Sequence, residues 1–180
     1  MGPRRLSDVV VRSLNFTVRA QAMSAVVRQA LETDAPAATE ILRRSISVLC
    51  AADHHNDPDR LEAWLKNKTV SNVAAWIRSP DNYCVVASIG DAVRGFGAMT
   101  LKGEIMLCYV DPDTRFRGVS ATMLDALERK AQVLGLAEVH LDGTVTARRF
   151  YEERGYVAIG RAKQAFDSIS CQSMAKRLAL

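Results

Sequence analysis

The stretch Leu107-Cys108-Tyr109-Val110-Asp111-Pro112-Asp113-Thr114-Arg115-Phe116-Arg117-Gly118-Val119-Ser120 decides the reading of this chain. It opens with the end of an apolar run over 105–110, which predicts a central strand covered on both faces. Pro112 then turns the chain, a basic loop follows, and Gly118 opens a helix predicted over 120–134. Gly135 stands just past that helix, the usual place for a left-handed stop. A strand over 137–141 follows. Strand, helix and strand in this order form a crossover, so the two strands pair in parallel.

The loop has the physics of an anion site. The first turn of a helix carries four amides without intrahelical partners and about half a positive charge. Glycine lets a phosphate approach that backbone closely. Arg115 and Arg117 add charge. The ligand expected here is a phosphate or pyrophosphate. A Walker loop needs a lysine this loop lacks, and a dinucleotide fingerprint needs three glycines where only Gly118 stands.

Outward from this loop the chain stays regular. Upstream, 26–30 reads as a strand. Thr33, Asp34 and Pro36 signal a helix start, and Ile41, Leu42, Ile46 and Leu49 carry that helix at helical spacing. Residues 53–57 form a polar break, followed by helical pieces over 58–66 and 70–77. Strands over 82–88, 93–101 and 105–110 are joined by tight turns and form antiparallel hairpins. Downstream, a helix is predicted over 146–154, stopped by Gly155, and two last strands over 156–159 and 171–176. The sum is an α/β single domain: a mixed, mostly antiparallel central sheet flanked by helices.

Composition narrows the class. The 180 residues are 48% apolar and 24% charged, which fits one globular domain with its own core. No apolar run is long enough for a membrane span. Residues 1–22 hold four arginines against one aspartate, leaving +1 of the net +4 for the remainder. Residues 1–24 read as an N-terminal extension and 25–180 as the working domain. Targeting is a second reading of the extension. The near-neutral body argues against a nucleic-acid partner. Cys50, Cys84, Cys108 and Cys171 make no C-x-x-C pair, so neither zinc nor a disulfide framework is indicated. A cytoplasmic home and no membrane association are expected.

The loop from Arg115 to Ser120 resembles the R/Q-x-x-G-x-G/A signature of the GNAT superfamily of acyl-CoA-dependent N-acetyltransferases. Ser120 stands where Gly or Ala is usual, and Phe116 where Gly is common. The segment Thr144-Val145-Thr146-Ala147-Arg148-Arg149-Phe150-Tyr151-Glu152-Glu153-Arg154-Gly155-Tyr156 resembles the family's N-x-x-A-x-x-x-Y-x-x-x-G-F/Y, with Thr144 in place of Asn. The ending Met174-Ala175-Lys176-Arg177-Leu178 is similar to its M-x-K-x-L finish.

The resemblance implies the GNAT fold and acetyl-CoA as co-substrate. Backbone groups of Cys108 and Val110, beside Tyr109, would hold the pantetheine arm. Arg115, Phe116, Arg117, Gly118, Val119, Ser120 and Ala121 would cradle the diphosphate, with Thr144, Ala147 and Tyr151 on the second segment. Tyr151 would be the general acid for the departing thiolate, since a phenol stays protonated at neutral pH. Glu104 resembles a base position, although an ordinary carboxylate is a poor base for an ammonium. The acceptor expected is a small-molecule primary amine. A protein N-terminus or lysine, or a non-catalytic acyl-CoA-binding role, are the alternatives, and a homodimer stays open. No metal is expected. His54 and His55 lie where an acceptor-side loop would be and could take a proton. Trp64 and Trp76 read as core or pocket wall, His140 as a packing histidine, and Cys108 as a small buried residue.

Overall fold

The computed structural model describes residues 24–165 and 169–179. The extension read over 1–24 lies outside these apart from Ser24. The described elements are β1 (Val26–Gln29), α1 (Ala35–Leu49), α2 (Ala51–His54), α3 (Pro58–Leu65), α4 (Val70–Arg78), β2 (Asn82–Ile89), β3 (Ala92–Thr100) and β4 (Glu104–Val110). They continue as α5 (Val119–Val133), β5 (Glu138–Thr144), α6 (Val145–Glu152), β6 (Val157–Ala158), β7 (Lys163–Ala165) and β8 (Ile169–Arg177).

Alternation along the central strands sorts the molecule into three layers. Val85 and Ala87 of β2 pack with Met123 and Leu127 of α5. Their neighbours Cys84 and Val86 pack with Ala38 and Leu42 of α1 and Val73 of α4 on the opposite face. The sheet is therefore buried from both sides, which explains why its middle strands read as near-continuous apolar runs. Gly95 of β3 sets the distance of one helix layer. A Cβ there would come within 2.8 Å of Met123 Sδ and 2.9 Å of Val119 Cγ1.

Helix starts follow the capping rules where the sequence supplies an oxygen. The Asp57 carboxylate accepts from the amides of Asp59 and Arg60 at the head of α3, and the Thr69 hydroxyl accepts from Asn72 N at the head of α4. Asp34 departs from the expected cap. Its carboxylate turns back to Leu31 N and to Arg28, 2.7 Å from each of two guanidinium nitrogens. A bidentate charged pair outweighs a single amide bond there.

Four other expectations change. The polar break over 53–57 begins inside α2, with Asp53 and His54 buried. His140 is exposed, because β5 alternates and Val139 and Leu141 take its core face. The strand β4 is not covered throughout: Glu104 and Met106 are exposed. Three strands, not two, close the chain, and β7 pairs with β8 over only three residues, too short a run for a periodic signal. Among the described residues no helix is long and apolar enough to cross a membrane.

The strand order is β1-β2-β3-β4-β5-β8-β6, with β7 also on β8. Every pair is antiparallel except β4–β5, which holds only through Glu104 opposite His140 and Ile105 opposite Leu141. Beyond that point β4 stays on β3 as far as Val110, and β5 stays on β8 as far as Thr144. The sheet therefore parts between residues 106–110 and residues 142–144. This opening positions everything below.

Candidate active site

A cavity of about 420 Å³ fills the opening. A strand without a neighbour leaves amides and carbonyls unpaired, and these are the groups a ligand can use in place of a partner strand. At one end the cavity meets the head of α5. Gly118 caps that helix at φ +78° with no side chain bonded to the first turn, and a Cβ at Gly118 would meet nothing within 4 Å. The helix amides thus face open space with their partial positive charge. Arg115 joins Gly118, Val119, Ser120 and Ala121 on this wall.

The loop before α5 is braced from below. Asp111 is buried and accepts from Arg44 at 2.8 Å, from Arg94 at 2.7 Å and from the amide of Asp113. Burial pushes its carboxyl up, but those donors outweigh burial and hold it below the usual carboxylate range. One carboxylate thus ties the loop to α1 and to β3. The Cys108 thiol reaches the Ser120 carbonyl at 3.8 Å, joining β4 to the first turn of α5. Phe116 sits at φ +64°, the left-handed conformation glycine adopts freely, and is 91% exposed with its ring 4.6 Å from the Arg115 guanidinium. For a bulky residue that backbone costs about 1–2 kcal/mol.

Along the middle of the cavity stand Cys108, Tyr109 and Val110 on one side and Thr144, Ala147 and Tyr151 on the other. Tyr151 is held edge-on between Phe150 and Tyr156, at centroid distances of 5.1 and 5.5 Å. Among the described residues its hydroxyl has no hydrogen-bond partner. Burial, reinforced by the neighbouring Cys108, Tyr109 and Cys50, raises the phenol well above its ordinary pKa. It therefore keeps its proton. Burial also raises the Cys108 thiol, to about 12, so it is no thiolate nucleophile at neutral pH.

At the far end, on the α1 side of the sheet, Ser45 and Leu49 of α1, Cys50 between α1 and α2, and Trp64 of α3 line the cavity. Trp64 is fully buried on this wall, where Tyr109 also stands. Asp142 stands on the same wall, the only carboxylate there among the described residues. Its oxygens accept from Ser173 and Lys163, each at 2.8 Å. Burial pushes this carboxyl up and the two donors pull it further down, leaving it ionised below the usual range.

The geometry supports an assignment by comparison. An acetyltransferase (GNAT) domain model matches residues 51–178. The chain belongs to the GNAT acetyltransferase family. As a GNAT protein it is an acetyl-CoA-dependent N-acetyltransferase. No curated protein sequence matches it. Similar solved structures include a GCN5-related N-acetyltransferase from Rhodopseudomonas palustris, 28% identical over 86% of this chain and 96% of that one, with a TM-score of 0.77. The PaiA N-acetyltransferase of Thermoplasma acidophilum, solved with coenzyme A, is 18% identical over 86% and 99%, with a TM-score of 0.69. The YncA protein of Salmonella typhimurium, solved with acetyl-CoA, is 16% identical over 87% and 95%, with a TM-score of 0.67.

Of the residues singled out in this GNAT sequence, the structure brings the donor-side set into one cavity except Arg117, which points to solvent. Glu104 is not on the wall; it is exposed at the closed end of the strand opening, its amide bonded to the Thr100 hydroxyl. His54 is buried away from the cavity, its Nδ1 accepting from Asn56 N, so it is not placed to take a substrate proton. Among the described residues no group of three or more metal-ligating side chains converges. Sequence reasoning missed Arg154, although its spacing from Ala147, Phe150 and Tyr151 puts it on the same helical face. It also missed Asp142 and Cys50 as wall residues, for which no local signal exists.

Proposed function

We propose that the protein transfers the acetyl group of acetyl-CoA to the primary amine of a small-molecule acceptor by direct attack. The observation that carries this is one cavity running through the parted sheet, from the uncapped head of α5 to the Trp64 wall, with an unbonded phenol midway. The amides of Gly118 to Ala121 and the Arg115 guanidinium fit a diphosphate. The free edges of Cys108 and Val110 fit an amide-bearing arm. Acetyl-CoA supplies a thioester carbonyl open to attack.

The protein's share of the chemistry is positioning, charge and one proton. Holding amine and thioester within about 3–3.5 Å supplies most of the acceleration. Tyr151 donates its hydrogen bond, and then its proton, to the departing sulfur. A C–N bond forms, the C–S bond breaks, the amine gives up one proton and the sulfur gains one. Tyr151 recovers its proton through solvent. Asp142 draws a cationic acceptor to the wall opposite the basic loop. The far end is walled by Leu49 of α1 and Trp64 of α3, apolar side chains that suit a small acceptor.

The test is a panel of primary amines, alongside peptides with free N-termini or lysines, incubated with acetyl-CoA while free thiol is measured. Turnover with small amines and not with peptides is expected. Tight coenzyme A binding without turnover on any acceptor would replace catalysis with an acyl-CoA-binding role.

A further inference from the structure

Helix α6 carries Tyr151, and its first turn is capped in an unusual way. Thr144 is the capping residue by backbone geometry, with φ −71° and ψ 169°, yet its side chain accepts nothing from the helix. Its hydroxyl instead donates to Asp53 Oδ2 at 3.0 Å. The other oxygen, Asp53 Oδ1, accepts from the amide of Thr146 at 3.0 Å. That amide is the second of the helix, the one a local cap would normally bind. The cap is thus delivered from 93 residues away. Asp53 is 5% exposed and belongs to α2, whose preceding residue Cys50 lies on the cavity wall.

We infer that Asp53 is a positioning residue for catalysis: its carboxylate locks the first turn of α6 to the acceptor-side helices and so sets where the Tyr151 hydroxyl meets the departing sulfur. This rests on the role proposed above for Tyr151. Three observations converge on it. The bonds are two, from donors two residues apart to separate oxygens, so they fix both the height and the rotation of the turn. A negative charge at a helix head is favoured by the helix dipole. The donors sit about one and a half to two turns from Tyr151, so little flexible backbone separates the lock from the phenol. Misplacement by about 1 Å in such a site can cost on the order of 10²-fold in rate. The same bonds join the two walls of the cavity, Thr144 and Thr146 on one and α2 below the other.

The chemistry suggests its own rescue. Asparagine at 144 would supply a local acceptor for the Thr146 amide, making the remote carboxylate dispensable. The experiment compares wild type, D53N, D53A and D53A/T144N, at a temperature well below the melting point of the least stable. The readouts are coenzyme A release with hydroxylamine as acceptor, which needs no acceptor recognition, and amide hydrogen exchange along α6. D53N keeps an oxygen for Thr146 N and stays within about threefold of wild type. D53A lowers kcat on the order of 10- to 100-fold with the acetyl-CoA KM within about twofold, and exposes the amides of Thr146 and the following turn to exchange. D53A/T144N recovers most of both. Unchanged kcat per folded molecule in D53A, or a loss that T144N fails to restore, overturns the inference. Exchange is read without any acceptor. Absence of turnover in wild type therefore counts against acyl transfer, while unchanged α6 protection in D53A counts against positioning by Asp53.

Discussion

Replacing Tyr151 by Phe removes one oxygen and tests the proposed chemistry directly. The hydroxyl has no partner among the described residues, so folding loses no hydrogen bond. The ring contacts with Phe150 and Tyr156 are kept. Stability should therefore move by less than about 0.5 kcal/mol. Catalysis should move much more. Loss of a positioned proton donor costs on the order of 10²- to 10³-fold, or about 3–4 kcal/mol of transition-state stabilisation. The assay follows thiol release from acetyl-CoA at saturating amine, with coenzyme A affinity and melting temperature measured alongside. Affinity should hold within about twofold, since the substitution leaves the proposed cradle at Gly118 to Ala121 untouched. The pH profile supplies a sign. Burial raises the phenol pKa, so the protonated form persists beyond its ordinary value near 10. Tyr151 should then contribute no alkaline loss of activity below about pH 10. A variant within threefold of wild-type kcat would refute the acid role, as would a rate loss matched by an equal loss of folded protein.

Glu128 accepts from the Tyr156 hydroxyl at 3.0 Å and from Lys176 at 2.6 Å, tying α5 to β8 and to the turn after α6. Glu128→Ala leaves both donors near the core and should cost about 2–3 kcal/mol in urea unfolding. Asp111 is held below its ordinary pKa in the folded protein, so its contribution is full above about pH 4 and fades as pH falls through the folded value. Asp111→Asn should lower stability at neutral pH and flatten its decline below about pH 4, measured by thermal unfolding. Burial raises the thiols of Cys50 and Cys108 to about 12, and those of Cys84 and Cys171 to about 11. Iodoacetamide at pH 8 should therefore modify these four slowly in the native protein and rapidly in denaturant, read by mass spectrometry.

What local sequence could determine, it did. Periodicity and turn residues placed the helix before Gly135, the hairpins between 82 and 110, and the crossover that follows, because these depend on neighbours within a few residues. The loop before α5, proposed above to cradle a diphosphate, was legible as a turn and helix start for the same reason: Pro112 and Gly118 act through backbone that they themselves shape. Tyr151 and Ala147 were singled out by the resemblance of 144–156 to a GNAT segment, and their spacing of four puts them on one helix face. The tertiary structure alone decided how far β4 and β5 stay together. Two paired residues and then a parting make the cavity, and no residue type encodes that distance. It also took Glu104 off the cavity wall and His54 away from any substrate. It brought Asp142 and Trp64 onto one surface, and it carried Asp53 across the chain to cap a helix that Thr144 leaves uncapped. These contacts depend on how rigid elements settle against one another, and a side chain's neighbours across that packing leave no trace in the spacing of its own segment.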